Sequence, residues 1–281
     1  MLCRVGAVEI WRILEINAPF LTPEELWPEA GPEARAAVER HVPRCLCPHS
    51  GRVILPIQGF LLKTPSHFIL VDACVGNDKT VPGLPAWHQR KDARFMAGLE
   101  AAGVGVEDVG FVLCTHLHTD HVGWNTQLLD GRWVPTFPKA RYLMPAADEA
   151  MQRARGSDLW RESVSPVIEA GQAELAGADH MLGDEVSLVP TPGHTPGHVS
   201  VLIRSEGREA MITGDALHST VQCWRPDWRF KYDSDGPMAV ASRRFFLEQA
   251  AETGATVLGS HFTLPSLGRV EAEGDAFRWI E

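Results

Sequence analysis

Short apolar runs bounded by Gly, Pro and polar turn residues recur along the chain, and their spacing predicts alternating strands and helices. Residues 5–16 read as a strand. Thr22-Pro23-Glu24-Glu25 reads as a helix start, with Thr22 as N-cap and Pro23 at the first helical position. Residues 53–64 and 67–74 are β-rich and broken by Thr64-Pro65-Ser66, which predicts a hairpin. Residues 87–102 have helical spacing and stop at Gly103. A short buried-type strand is expected at 111–115 and a helix at 146–155. Further strands are expected at 186–189, 199–204, 210–213 and 256–260, with a helix over 237–253 that starts near Ser234 or Asp235 and stops at Gly254. Strands in both halves with helices between them predict a layered α/β fold.

Composition narrows the class. At 44% hydrophobic and 22% charged, the 281 residues are those of an ordinary globular chain, long enough to bury a real core. The length fits a single domain over residues 1–281, with residues 1–50 as an N-terminal cap or the surface of a homodimer. A net charge of −10 argues against binding nucleic acid or an anionic membrane. No apolar run approaches the roughly 18 residues of a membrane span. The N-terminus has no secretory pattern, so a cytoplasmic location is expected. The six cysteines are sparse, which fits free thiols in a reducing compartment. Cys45 and Cys47 are one residue apart, a poor match to structural zinc spacing, and read as a loop.

The chemistry concentrates in Thr115-His116-Leu117-His118-Thr119-Asp120-His121, directly after an apolar strand. In an extended segment His116 and His118 face the same side. A turn after them carries Asp120 and His121 toward a neighbouring point, a natural partition into ligands for two metals. Three other segments repeat the plan of apolar strand, small residue, then potential ligand. They lead to His194, to Asp215 and to His261. Residues just past strand ends converge at one edge of a sheet. Sets of imidazole and carboxylate suit zinc and also accept manganese, iron or cobalt.

The order of these motifs, THLHTDH at 115–121, TPGHTPGH at 191–198, GDALH at 214–218 and GSH at 259–261, resembles the metallo-β-lactamase superfamily of hydrolases. The match runs from about Asp72 to His261. The resemblance implies a four-layer αββα sandwich with a metal site at one edge. It implies that His116, His118 and His194 hold one Zn2+, that Asp120, His121 and His261 hold a second, and that Asp215 bridges them. A hydroxide shared by the two ions would be the nucleophile, and Asp120 would also steer its proton.

Within that family Asp215 is not Cys, unlike the common zinc β-lactamases. The motif is not the H-x-E-x-D of diiron flavoproteins. The stretch after His261 leaves no room for the C-terminal helical domain of glyoxalase II, and the gap between His121 and His194 is too short for a nuclease insertion. The remaining pattern is similar to acyl-homoserine lactonases and methyl-parathion-type hydrolases. Lactonases of that branch carry Tyr three residues after the bridging Asp, where this chain has His218. His218 is therefore a candidate for binding the substrate carbonyl or protonating the leaving oxygen.

Asp72 is either an orienter of a ligand His or a turn cap. His198 and Ser200 either support the His194 loop or are structural. Among the nine Trp, Trp124 is the first candidate for an apolar pocket wall, followed by Trp87, Trp224 and Trp228; the alternative is core. The expected activity is hydrolysis of small neutral esters or lactones. A phosphotriesterase or β-lactamase on the same metals is the alternative, with a mononuclear-iron persulfide dioxygenase behind it.

Overall fold

The computed structural model describes every residue except 178 and 179. The chain divides into two compact units, Met1–Glu15 with Ile57–Glu185 and Ile16–Pro56 with Val186–Glu281.

The first unit is built on a seven-stranded sheet. Its order is Cys3–Val5, Val8–Pro19, Ile54–Lys63, Phe68–Val71, Phe111–Leu113, Arg141–Pro145 and Ala173–Ala176. The expected hairpin is present, with Phe60 opposite Val71 and Lys63 opposite Phe68. The last four strands are parallel, with Val71 beside Leu113 and Leu113 beside Leu143. The first three of these are largely buried on both faces and read as short, mostly apolar runs without alternation. Asp72 and the Thr115–His121 segment thus both leave the carboxyl edge of parallel strands, where α/β sheets gather their sites.

The second unit carries Val186–Pro190, Val199–Ser205, Arg208–Ile212, Thr256–Leu258, Leu267–Glu273 and Ala276–Ile280 in that order. Ile212 lies parallel to Leu258, and the other neighbours are antiparallel. Val186–Pro190 runs the same way as Arg208–Ile212, because each is antiparallel to the strand between them. The segments carrying His194, Asp215 and His261 therefore leave one edge. The helix Gly236–Thr253 connects the two parallel strands, and its Phe246, Leu247 and Ala250 pack on Leu202, Met211 and Val257. Asp235 is its N-cap, accepting from the Met238 amide at 3.0 Å, and Gly254 ends it in the left-handed region.

The first 50 residues are shared between the units. Cys3–Val5 and Val8–Pro19 are sheet strands. Pro23–Leu26 is a helical turn with Thr22 as the expected N-cap, completed to a capping box by Glu25. Leu26, Trp27, Ala34, Val38, Cys45 and Val53 form a small core with Val221, Trp228 and Phe230. All six cysteines are free thiols. No helix among the described residues is long and apolar enough to cross a membrane.

The helix expected from residue 87 begins only at Arg94 and runs Arg94–Ala101. Asn77 explains the shortening. Its side chain donates to the Asp92 carbonyl at 2.9 Å and accepts from the Asp92 amide at 2.9 Å, holding residues 77–92 in a doubled-back loop. The hairpins Thr126–Leu129/Arg132–Pro135 and Leu267–Glu273/Ala276–Ile280, and the helix Pro32–His41, have no counterpart in the expected elements.

Lys79 anchors that loop from inside. It is 2% exposed and donates to Thr126 Oγ1 at 2.6 Å and to the Glu162 carbonyl at 3.0 Å, with its ammonium 3.6 Å from the Trp133 ring centroid. Burial pushes its pKa down to about 7, against the opposing pull of Glu162 and Asp78. Above that value the folded chain holds fewer protons than the unfolded chain, whose lysine titrates near ~10.4. Stability should therefore rise as pH climbs from about 7 toward 10. Urea unfolding across that range should show the rise in the wild type and a flatter profile in Lys79→Met.

Candidate metal centre

In the first unit the ligand segment is a strand end followed by a single helical turn, Thr119–Val122. Asp72 organises it. Its carboxylate accepts from the Thr115 amide at 2.8 Å, from the Thr115 hydroxyl at 2.9 Å and from His121 Nδ1 at 2.8 Å. Because the Thr115 hydroxyl donates to Asp72, its oxygen is left to accept from His116 Nδ1 at 3.1 Å. Each ring thereby turns Nε2 away from its support, so Asp72 orients His121 directly and His116 through Thr115. His116 Nε2 lies 3.0 Å from His118 Nδ1, and His121 Nε2 lies 3.8 Å from Asp120 Oδ2. The helix Ala146–Arg155 fixes the intervening residue. Asp148 accepts from the Leu117 amide at 3.0 Å, and Gln152 donates to the Leu117 carbonyl at 2.7 Å.

In the second unit Asp215 is the hub. His194 Nε2 lies 3.1 Å from its Oδ2, and His261 Nε2 lies 3.0 Å from its Oδ1. His261 Nδ1 donates to the Pro56 carbonyl at 2.8 Å, and a carbonyl can only accept, so a neutral His261 carries no proton on Nε2. His194 Nδ1 pairs with Asp233 at 3.0 Å to the same effect. Two imidazole Nε2 atoms thus face two carboxylate oxygens, and a proton or a metal ion can occupy such a gap. Burial alone would lower the His194 pKa, but Asp215 and Asp233 outweigh it and raise it to about 9. The donor set of buried imidazoles around a shared carboxylate fits transition-metal ions equally well.

His198 holds the hub's backbone. Its Nδ1 faces the Thr191 carbonyl at 3.0 Å, so its Nε2 accepts from the Asp215 amide at 2.7 Å. Ser200 continues the support, donating to the Thr213 carbonyl at 2.9 Å. His218 is 2% exposed, with Nε2 3.0 Å from Asp215 Oδ2 and its ring stacked on Phe230 at 3.4 Å. Burial drives its pKa down to about 4 despite Asp215. Its Nδ1 is buried with no hydrogen-bond partner.

Each unit brings its own expected ligands together. The aromatic wall expected from Trp124 is corrected. Trp124 is 5% exposed, stacks on Phe95 at 5.2 Å and donates to Glu15 at 2.7 Å, so it belongs to the core. Trp228 is likewise core, and Trp224 stacks on His41 at 4.8 Å. Asp233, Asp148, Gln152 and the Pro56 carbonyl went unforeseen. None lies in a recognisable motif, and only the folded backbone brings Asp233 and the Pro56 carbonyl to the rings they hold and Asp148 and Gln152 to the Leu117 backbone.

The model of the metallo-β-lactamase superfamily matches residues 55–261, and the chain belongs to that family. It is a metal-dependent hydrolase with the metallo-β-lactamase fold. An N-acyl homoserine lactonase of a Bacillus sp is 28% identical over 196 residues, 63% of this chain and 73% of that one. A probable metallo-hydrolase of Mycobacterium tuberculosis is 28% identical over 206 residues, 66% of this chain and 65% of that one. The match thus spans about two thirds of the length of these relatives. Among solved structures, AidC, a dizinc quorum-quenching lactonase, superimposes with a TM-score of 0.79 at 22% identity, covering 99% of this chain and 95% of that one. The hydrolase AbOPH superimposes with a TM-score of 0.82 at 22% identity over the same shares.

Proposed function

We propose that the chain is a dinuclear, zinc-dependent hydrolase of small neutral esters or lactones. The observation that carries this reading is Asp215, whose two oxygens each lie 3.0–3.1 Å from an imidazole Nε2 while the Nδ1 of each ring is held by a second partner. His116, His118 and His194 would hold one ion, Asp120, His121 and His261 the other, with Asp215 between. When bound, two such ions supply a water-derived nucleophile at neutral pH and Lewis-acid polarisation of the substrate oxygen.

The chain's own residues do the rest. Asp72 and Asp233 hold the His121 and His194 rings in the ligating tautomer. His198 fixes the Asp215 backbone. Asp120, on the turn after His118, would also steer the proton of the nucleophile. His218 enters as a neutral hydrogen-bonding group, with Nε2–H on Asp215 and an acceptor at Nδ1. That role takes the place of a general acid. His218→Ala is expected to lower kcat/KM about tenfold to a hundredfold on every hydrolysed substrate, and unchanged values would reduce the residue to packing.

The substrate reading draws on relatives named lactonases and on the net charge of −10, which disfavours polyanions. Aryl esters and medium-chain acyl lactones should be hydrolysed, penicillins weakly or not at all, and nucleic-acid phosphodiesters not at all. The check is a panel of aryl esters, acyl-homoserine lactones, a phosphotriester and a β-lactam, run with zinc-, manganese- and cobalt-loaded protein. Fast phosphotriester or β-lactam turnover with negligible ester and lactone activity would reverse the assignment and leave the metal centre standing.

A further inference from the structure

The helix Gly236–Thr253 carries a fully buried arginine that reaches the Asp215 segment through the Ala216 carbonyl and His194 through Asp233. Arg243 is 0% exposed. Its Nε donates to the Ala216 carbonyl at 2.9 Å, one residue beyond Asp215. Its Nη1 donates to the Pro226 carbonyl at 3.0 Å and the Trp228 carbonyl at 2.7 Å. Its Nη2 lies 3.4 Å from Asp233 Oδ2. Asp233 turns its other oxygen to His194 Nδ1 at 3.0 Å and accepts from the Phe230 amide at 2.9 Å, beneath the ring stacked on His218.

The same helix grips the His194 loop by its backbone. The Asp235 amide donates to the Gly193 carbonyl at 2.8 Å, and the Ser234 amide donates to the His194 carbonyl at 3.1 Å. The Ser242 hydroxyl donates to the Pro192 carbonyl at 2.5 Å. A Cβ on Gly193 would stand 2.1 Å from the Ala239 nitrogen, so loop and helix are in backbone contact.

We propose that Arg243 and Asp233 are a positioning pair that sets how tightly His194 and Asp215 hold metal. Asp233 fixes the His194 tautomer and ring angle. Arg243 fixes Asp233 and, through Ala216, the backbone that carries Asp215. This assignment rests on the metal-centre reading above. A guanidinium is required because its planar fork reaches one carboxylate and three carbonyls at once, whereas an ammonium has a different donor geometry on a flexible stem. A carboxylate behind a ligating imidazole also strengthens the ring as a ligand, and removing such partners weakens metal binding by about tenfold to a hundredfold.

The test is zinc retention against a competing chelator, together with the visible absorption of the cobalt-loaded protein. It compares wild type, Asp233→Asn, Arg243→Lys and a control, Val270→Ala, which empties a buried position on the strand Leu267–Glu273. Asp233→Asn should lose one zinc equivalent about tenfold to a hundredfold more readily, keep the other within about twofold, and shift the cobalt spectrum. Arg243→Lys should move the same equivalent in the same direction by less, and it serves as the readout should Asp233→Asn not fold. Val270→Ala should lower Tm and leave both equivalents and the spectrum unchanged. If the Asp233 and Arg243 variants lose only thermal stability, as the control does, the pair is structural and the proposal is overturned. Wild-type protein that retains no zinc would instead overturn the metal-centre reading, and the pair's role with it.

Discussion

Asp215→Ala is expected to lower ester and lactone hydrolysis by about 10³-fold or more. The side chain faces both His194 and His261 at about bonding separation for a shared cation, and its loss leaves those imidazoles without their common anion. Lewis-acid stabilisation is worth several kcal/mol, and each ~1.36 kcal/mol is a factor of ten in rate. The backbone should stay in place, because His198 holds the Asp215 amide and not its side chain. Elemental analysis should find fewer than two ions per folded chain, and kcat/KM should fall on every substrate together. A variant that keeps two ions and near-normal rates would remove Asp215 from the centre.

The second large effect belongs to a residue with no chemistry. Gly123 follows the ligand turn, and a Cβ there would stand 1.7 Å from the Val75 carbonyl oxygen and 2.6 Å from the Gly76 nitrogen. Those atoms are backbone and cannot rotate aside. The turn is also sewn to the 73–76 loop by three short bonds: Ala73 amide to His121 carbonyl, Gly123 amide to Cys74 carbonyl and Trp124 amide to Ala73 carbonyl, each 2.7 Å. Gly123→Ala must break them or shift Asp120 and His121. We expect a loss of more than about 4 kcal/mol, in the range reserved for such named clashes. Denaturant unfolding and metal content of any soluble fraction would measure it; a variant within about 0.5 kcal/mol of wild type would show that the two loops separate freely.

The ligand segments were legible because they sit in sequence immediately after apolar strands, so a one-dimensional pattern carries their three-dimensional placement. The same holds for the hairpin around Thr64-Pro65-Ser66 and for the Thr22 N-cap, both set by local bonds. The start of the helix at Arg94 was not legible, since Asn77 overrides helical spacing from a position well upstream. Trp124 misled for a related reason. Adjacency to His121 in sequence says nothing of the side to which an indole turns, and here it turns to Phe95 and Glu15. Nothing in the sequence marks Arg243 as buried. Its burial becomes visible only when three carbonyls and Asp233 are seen around it.

His261 takes its orientation from the carbonyl of Pro56, a partner 205 residues earlier. During synthesis Pro56 leaves the ribosome long before His261 exists. At about 5–20 residues per second, that interval is tens of seconds at the slow end of the range. For about the last two thirds of that interval the Thr115–His121 segment, with its three imidazoles and one carboxylate, is already complete. The bond that orients the His261 ring therefore joins two partners made far apart in time, and it can form only as a late, long-range contact.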